Sequence, residues 1–155
     1  MEQPEVFSVL DALDVAGVRW WVAGGWGVDV LVGRQTRAHR DLDLLVDAAT
    51  YDACLAALGA LGYAPETDWL PLRIELAAPG ERWVDVHPVV FDATGVGTQG
   101  QPPGATYTYP PSFLTEGHLR GRRIPCLTAE LQRELHAGYE PRPEDLYDLA
   151  LLERL

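Results

Sequence analysis

Apolar positions near the start of the chain follow a helical rhythm. Val6, Leu10 and Leu13 recur at helical spacing beside Phe7 and Val9, and Pro4 suits a first turn. With Gly17 as the stop, this predicts a helix over residues 4–16. Val18 to Ala23 form a β-branched and aromatic run, expected to be a buried strand. Gly24-Gly25 breaks it, and Trp26 to Leu31 have helical character up to Gly33. After the polar stretch Arg34 to His39, charged and apolar residues alternate from Arg40 to Val46. This half-buried strand places Leu42, Leu44 and Val46 on one face and Asp41 and Asp43 on the other. Ala48 to Leu61 read as another helix. Leu72 to Ala77 and Arg82 to Val90 read as strands flanking the turn Ala78-Pro79-Gly80-Glu81.

Residues 92–111 are rich in glycine, proline and threonine, a long surface excursion with one candidate strand at Thr106 to Tyr109. Thr128 is a suitable N-cap for a helix over residues 128–137, stopped by Gly138, and a last helix follows from Pro143. No repeat or low-complexity linker interrupts this order. The expectation is one α+β domain over residues 1–155, a mixed β-sheet flanked by helices, with short helices at the C-terminal end.

Composition narrows the function. The formal net charge is −11, from 23 acidic and 12 basic residues. Such a field repels nucleic-acid phosphates and attracts cationic small molecules, so no nucleic-acid partner is expected. Cys54 and Cys126 are the only cysteines, far apart and without metal-ligand spacing. The first residues show no basic region followed by an apolar stretch, so no signal peptide is expected; no apolar run is long enough to suggest a membrane span, and the expected location is cytoplasmic.

The candidate chemistry lies in carboxylates. An Asp-x-Asp tripeptide is expected by chance in a chain with this many aspartates, so its setting decides. On a strand, residues two apart share a face with Cα atoms roughly 6.5–7 Å apart, and Asp41 and Asp43 can converge on a hard cation such as Mg²⁺. Alternation in Arg82-Trp83-Val84-Asp85-Val86-His87 sets Trp83, Asp85 and His87 on one face, and an antiparallel neighbour would bring Asp85 beside the pair. A third carboxylate there could bind metal or accept the proton of an attacking hydroxyl. Gly24-Gly25 at a strand-to-helix turn suits close approach of a phosphate. Arg34, Arg37 and Arg40 gather just before the acidic pair, as expected around a metal-bound triphosphate. The competing reading is a solvated strand face with arginines paired to its aspartates.

Gly24-Gly25-Trp26, Gly33-Arg34-Gln35-Thr36-Arg37 and His39-Arg40-Asp41-Leu42-Asp43 resemble the antibiotic nucleotidyltransferases of the polymerase-β-like superfamily. The small lincosamide nucleotidyltransferases are the nearest match, and the aminoglycoside 2''-nucleotidyltransferases stand further away. The likeness continues through Trp69-Leu70-Pro71-Leu72-Arg73-Ile74-Glu75, Val84-Asp85-Val86-His87-Pro88, Ile124-Pro125-Cys126 and His136-Ala137-Gly138-Tyr139, with Asp145 and Asp148 beyond. It implies a minimal nucleotidyltransferase fold that uses ATP or another nucleoside triphosphate with two Mg²⁺ ions. Asp41, Asp43 and Asp85 would be metal ligands and catalytic groups, with Asp85 as ligand or base. Gly24, Gly25, Trp26, Arg34, Thr36, Arg37, Arg40 and Tyr139 would serve the nucleotide, with His136 beside Tyr139. The chain departs from many superfamily members in carrying Trp26 where they have a serine after the two glycines.

Trp69, Arg73, Glu75, His87 and the segment after Phe91 are the candidates for the acceptor side. The implied reaction is transfer of a nucleoside monophosphate, AMP in the first instance, to a hydroxyl of a small antibiotic, most directly a lincosamide, with release of pyrophosphate. The resemblance also implies a homodimer. Alternatives are an aminoglycoside acceptor, or a catalytically silent or protein-modifying relative of the toxin–antitoxin type. A sugar-nucleotide glycosyltransferase fits poorly, since only 40 residues precede Asp41.

Overall fold

The computed structural model describes residues 1–101, 104–137 and 139–155. Helix α1 spans Gln3–Val15, strand β1 Trp20–Val22, α2 Gly24–Val32 and β2 Asp41–Asp47. A 3₁₀ turn at Ala48–Thr50 leads into α3, Tyr51–Ala60, then β3 Ala64–Trp69, β4 Arg73–Ala78 and β5 Arg82–Phe91. The rest comprises β6 Gly97–Gln101, β7 Ala105–Tyr109, β8 Leu114–Leu119, β9 Arg122–Leu127, α4 Ala129–Leu135 and α5 Pro143–Leu152. The elements expected around Asp41 form where the periodicity put them. The helix expected over 128–137 is regular to Leu135, and Gly138 lies outside the described residues.

The described strands join in the order β3-β4-β5-β2-β1-β9-β8, with β6 pairing to β5 and β7 to β6. The mixed sheet expected from the sequence is therefore present. One expectation fails: β2 and β5 run parallel, not antiparallel. The reason is the connection, because α3 and the antiparallel pair β3–β4 intervene and return the chain alongside β2 in its own direction. Strands β3, β8 and β9 are additions to the sequence reading, as is β6, which with β7 turns part of the expected excursion into a hairpin.

One face of the sheet is dry. Val6, Val9, Leu10 and Leu13 of α1 pack with Cys54 and Leu58 of α3 against Leu42, Leu44, Val46, Val84 and Val86. A smaller cluster of Trp21, Leu45, Val89, Tyr109, Leu127 and Leu131 closes the other face beyond the acidic residues. Asp41 and Asp43 thus stand on a strand whose opposite side is fixed core, and this restricts their freedom. Both cysteines are buried and free, and burial pushes each thiol up to about 12. No helix among the described residues is long and apolar enough to cross a membrane.

Candidate active site

The parallel ladder aligns Asp43 of β2 with Asp85 of β5, and the antiparallel ladder aligns Asp85 with Glu75 of β4. Three neighbouring strands therefore bring carboxylates to one level. Ligand atoms of Asp41, Glu75 and Asp85 lie within 4.8 Å of one another, and so do those of Asp43, Asp85 and His87. Asp85 is 5% exposed; Arg73 Nη1 donates to its Oδ2, while its Oδ1 is buried without a hydrogen-bond partner. Burial raises the Asp41 carboxyl above its ordinary range, and the Asp43 charge adds to this; Arg40 acts in the opposite sense. An orphaned buried oxygen beside crowded like charges is a deficit that a divalent cation would fill, and the carboxylate oxygens of Asp41, Glu75 and Asp85 suit Mg²⁺. The residues present therefore fit the metal that the motif implies.

Before the carboxylates stands the glycine turn. Helix α2 begins at Gly24 with no side-chain cap, so its first N–H groups are free for an anion. Ala23 N–H donates to Asp43 O at 2.9 Å, which locks the turn to β2. Gly24 has φ +55°, and a Cβ there would collide with the Asp43 carboxylate; one at Gly25 would strike His39 and Arg37. Here glycine is required by both conformation and space.

A cleft of about 580 Å³ runs past this turn. Gly24, Gly25, Arg37, Arg40, Asp41, Asp43, Arg73, Asp85, His87 and Tyr139 all line it, so most of the expected site converges. The remaining expected residues are placed elsewhere. Trp26 is core at 1% exposure and packs on the His39 ring with centroids 4.6 Å apart. Arg34 is exposed and outside the lining. Thr36 donates from its backbone and hydroxyl to Asp29. Trp69 supports the Arg73 guanidinium, 4.2 Å from the ring centroid, and Glu75 accepts from Arg40 at 3.0 Å. Four of these, Trp26, Thr36, Trp69 and Glu75, contact lining residues or neighbouring elements instead of forming the wall.

The arginines are themselves paired. Arg37 forks onto Asp148 of α5, Nε to Oδ1 at 3.0 Å and Nη2 to Oδ2 at 2.5 Å, which raises the guanidinium pKa further. Arg40 bridges Asp41 and Glu75 and lies over Trp83. At the far end Arg142 donates twice through its side chain to Asp145 and holds that carboxyl at about 2. A carboxyl lowered in the fold adds stability above its ordinary range and loses it only as pH falls through the lowered value. This pair therefore stays closed at neutral pH.

Several lining residues escaped the sequence reading. His39 lies between Arg37 and Arg40, and its Nε2 meets Asp29 Oδ2 at 2.5 Å. Its signal was its place in the Arg37–Asp43 run. Gln132 donates to Gly24 O at 3.3 Å, tying α4 to the turn, and Gln99 reaches the cleft from β6; neither had a signal in spacing. Asp29 is wholly buried and accepts from Thr36 and His39. Asp29→Ala should cost about 3 kcal/mol in urea unfolding, since it strands three donors. A loss below about 1 kcal/mol would mean that Asp29 does not organise this corner.

The family model for aminoglycoside-2''-adenylyltransferase matches residues 5–152. The chain belongs to this adenylyltransferase family. A lincosamide resistance protein of Staphylococcus haemolyticus is 35% identical over 153 residues, covering 99% of this chain and 95% of that protein. A 2''-aminoglycoside nucleotidyltransferase of Klebsiella pneumoniae is 28% identical over 121 residues, 78% of this chain and 64% of that protein. Among solved structures, the lincosamide antibiotic adenylyltransferase LnuA with lincomycin bound superimposes with a TM-score of 0.91 at 35% identity, covering 99% of this chain and 97% of its own. ANT(2'')-Ia in complex with adenylyl-2''-tobramycin shares the fold at a TM-score of 0.74 and 19% identity, over 96% of this chain and 86% of its own. The chain is thus a nucleotidyltransferase of a family whose members modify antibiotics.

Proposed function

We propose that the cleft transfers AMP from ATP to a hydroxyl of a lincosamide antibiotic. The observation that carries this is the in-register meeting of Asp43 and Asp85, with the unpartnered Asp85 Oδ1, beside an uncapped helix start. The similarity to a lincosamide resistance protein over nearly the whole of both chains supports the acceptor class. Asp41, Asp43 and Asp85 would hold two Mg²⁺ ions, which supply neutralisation of phosphate charge and a lowered hydroxyl pKa when bound. The N–H groups of Gly24 and Gly25 receive the β- and γ-phosphates, with Arg37 and Arg40 at the sides. Tyr139 and His136, from the C-terminal end of the cleft, flank the base.

The acceptor hydroxyl attacks the α-phosphorus, its proton passes to the Asp85 carboxylate, and the bond to the pyrophosphate oxygen breaks. Arg73 keeps the Asp85 carboxylate aimed, and His87 lies on the acceptor side. Trp69 and Glu75 act on the acceptor through Arg73 and Arg40, and Trp26, Arg34 and Thr36 serve the nucleotide by shaping its turn and the connection after it. The need for a nucleoside triphosphate donor supports a cytoplasmic setting. A homodimer would cover Leu146 and Tyr147 of α5, which are 57% and 46% exposed.

Pyrophosphate release should be measured with ATP, Mg²⁺ and a panel of lincosamides and aminoglycosides. Release with lincosamides, and a product heavier by one AMP, is the expected result. Release with aminoglycosides alone would move the acceptor to that class, and nucleotide binding without release would overturn transfer.

A further inference from the structure

His87 presents two nitrogens to very different neighbours. Its Nε2 lies 3.7 Å from Asp43 Oδ1, among the grouped carboxylates, and an imidazole there has the reach of a metal ligand. Its Nδ1 faces Gln99 Nε2 at 3.3 Å. Which nitrogen carries the ring proton decides whether His87 can coordinate at all, because only a bare nitrogen offers a lone pair.

The buried amide of Gln99 settles that choice. Gln99 is 2% exposed on β6, and its Nε2 lies 2.6 Å from the carbonyl oxygen of Leu72. A backbone carbonyl can only accept, so the NH₂ group must be on that side. Tyr109 OH, also buried, donates to Gln99 Oε1 at 2.6 Å and holds the amide the same way round. The second hydrogen of the NH₂ group then points at His87 Nδ1. That nitrogen must accept, which leaves the proton on Nε2, facing Asp43.

We propose that Gln99, held by Leu72 and Tyr109, is a positioning residue that fixes His87 as the Nε2–H tautomer, so that the ring turns an N–H to Asp43 and stays out of the metal's coordination sphere. The inference deepens the transfer reading above by setting which metals the site accepts. An all-oxygen set favours Mg²⁺ or Mn²⁺, whereas an added imidazole favours Zn²⁺ and Co²⁺. The hairpin β6–β7 would in this way guard the ion preference of a site built on other strands.

The test uses ¹⁵N-labelled, metal-free protein and long-range ¹H–¹⁵N spectra of the His87 ring, with Co²⁺ titration followed by visible absorption. Wild type should show the proton on Nε2. Gln99→Met keeps the shape and removes the donor; its ring should become a mixture of tautomers, and Co²⁺ should bind about tenfold more tightly, as outer partners of a ligand typically control. Tyr109→Phe, a milder change, should move both readings in the same direction. A proton on Nδ1 in the wild type, or unchanged tautomer and Co²⁺ affinity in a folded Gln99→Met protein, overturns the proposal. Turnover enters neither arm, so failure of the transfer reading would be recognised separately in the pyrophosphate assay.

Discussion

Replacing Asp43 with Asn should lower nucleotidyl transfer by about a thousandfold or more while the fold persists. Asp43 shares a 4.8 Å neighbourhood with Asp85 and His87, and its backbone carbonyl anchors Ala23 at the phosphate turn. An amide in its place preserves shape and the backbone bond but removes a charge that the metal needs. The backbone around it is held by core on the opposite face, at Leu42 and Leu44, so structure should survive. Calorimetric titration of Mg²⁺ with a non-hydrolysable triphosphate should show weakened binding, and circular dichroism should be unchanged. Turnover within tenfold of wild type would remove Asp43 from the mechanism.

The second large effect concerns a residue with no side chain. Gly24→Ala should cost about 1–3 kcal/mol in stability, since φ +55° is unfavourable for alanine and the new Cβ meets the Asp43 carboxylate. It should also lower kcat about a hundredfold, because displacing the carboxylate by even an ångström disturbs alignment of the reacting atoms. Thermal unfolding and steady-state kinetics measure the two parts. Normal kcat in a destabilised Gly24→Ala protein would show that the close approach serves folding alone.

Much of the site was legible because its chemistry depends on short-range pattern. Alternation fixed which face of β2 carries Asp41 and Asp43, and the glycine pair marked the start of α2. Alternation in Arg82–His87 likewise put Asp85 on one face with Trp83 and His87, and the resemblance gave it the role of third carboxylate. The parallel pairing of β2 with β5 was not legible, because strand direction depends on what the intervening α3 and β3–β4 do in space. Strand β3 was missed because Ala64–Trp69 is largely exposed and carries the polar run Glu66-Thr67-Asp68, without apolar alternation. Pro125 hid β9, although proline is tolerated there with only Val22 and Cys126 matched to β1. Trp26 read as a nucleotide contact because it follows the glycines, yet helical geometry turns it inward beneath His39. Gln99 lay in a segment whose composition suggests a loop, and its importance arises from tertiary hydrogen bonds alone.

The ladder that aligns Asp43 with Asp85 gives the two ends of the cleft different freedom to change over evolution. Spacing between these carboxylates is set by hydrogen-bonded backbones in the middle of the sheet, so substitutions in peripheral loops leave it untouched. The hairpin β6–β7 hangs from the far end of β5, beyond that level, and apart from Gln99 and Tyr109 it can vary without disturbing the ladder. Selection for a new acceptor can therefore act on the rim while the phosphate chemistry is inherited intact. A small chain of this design is a natural starting point for altering drug specificity without rebuilding the catalyst.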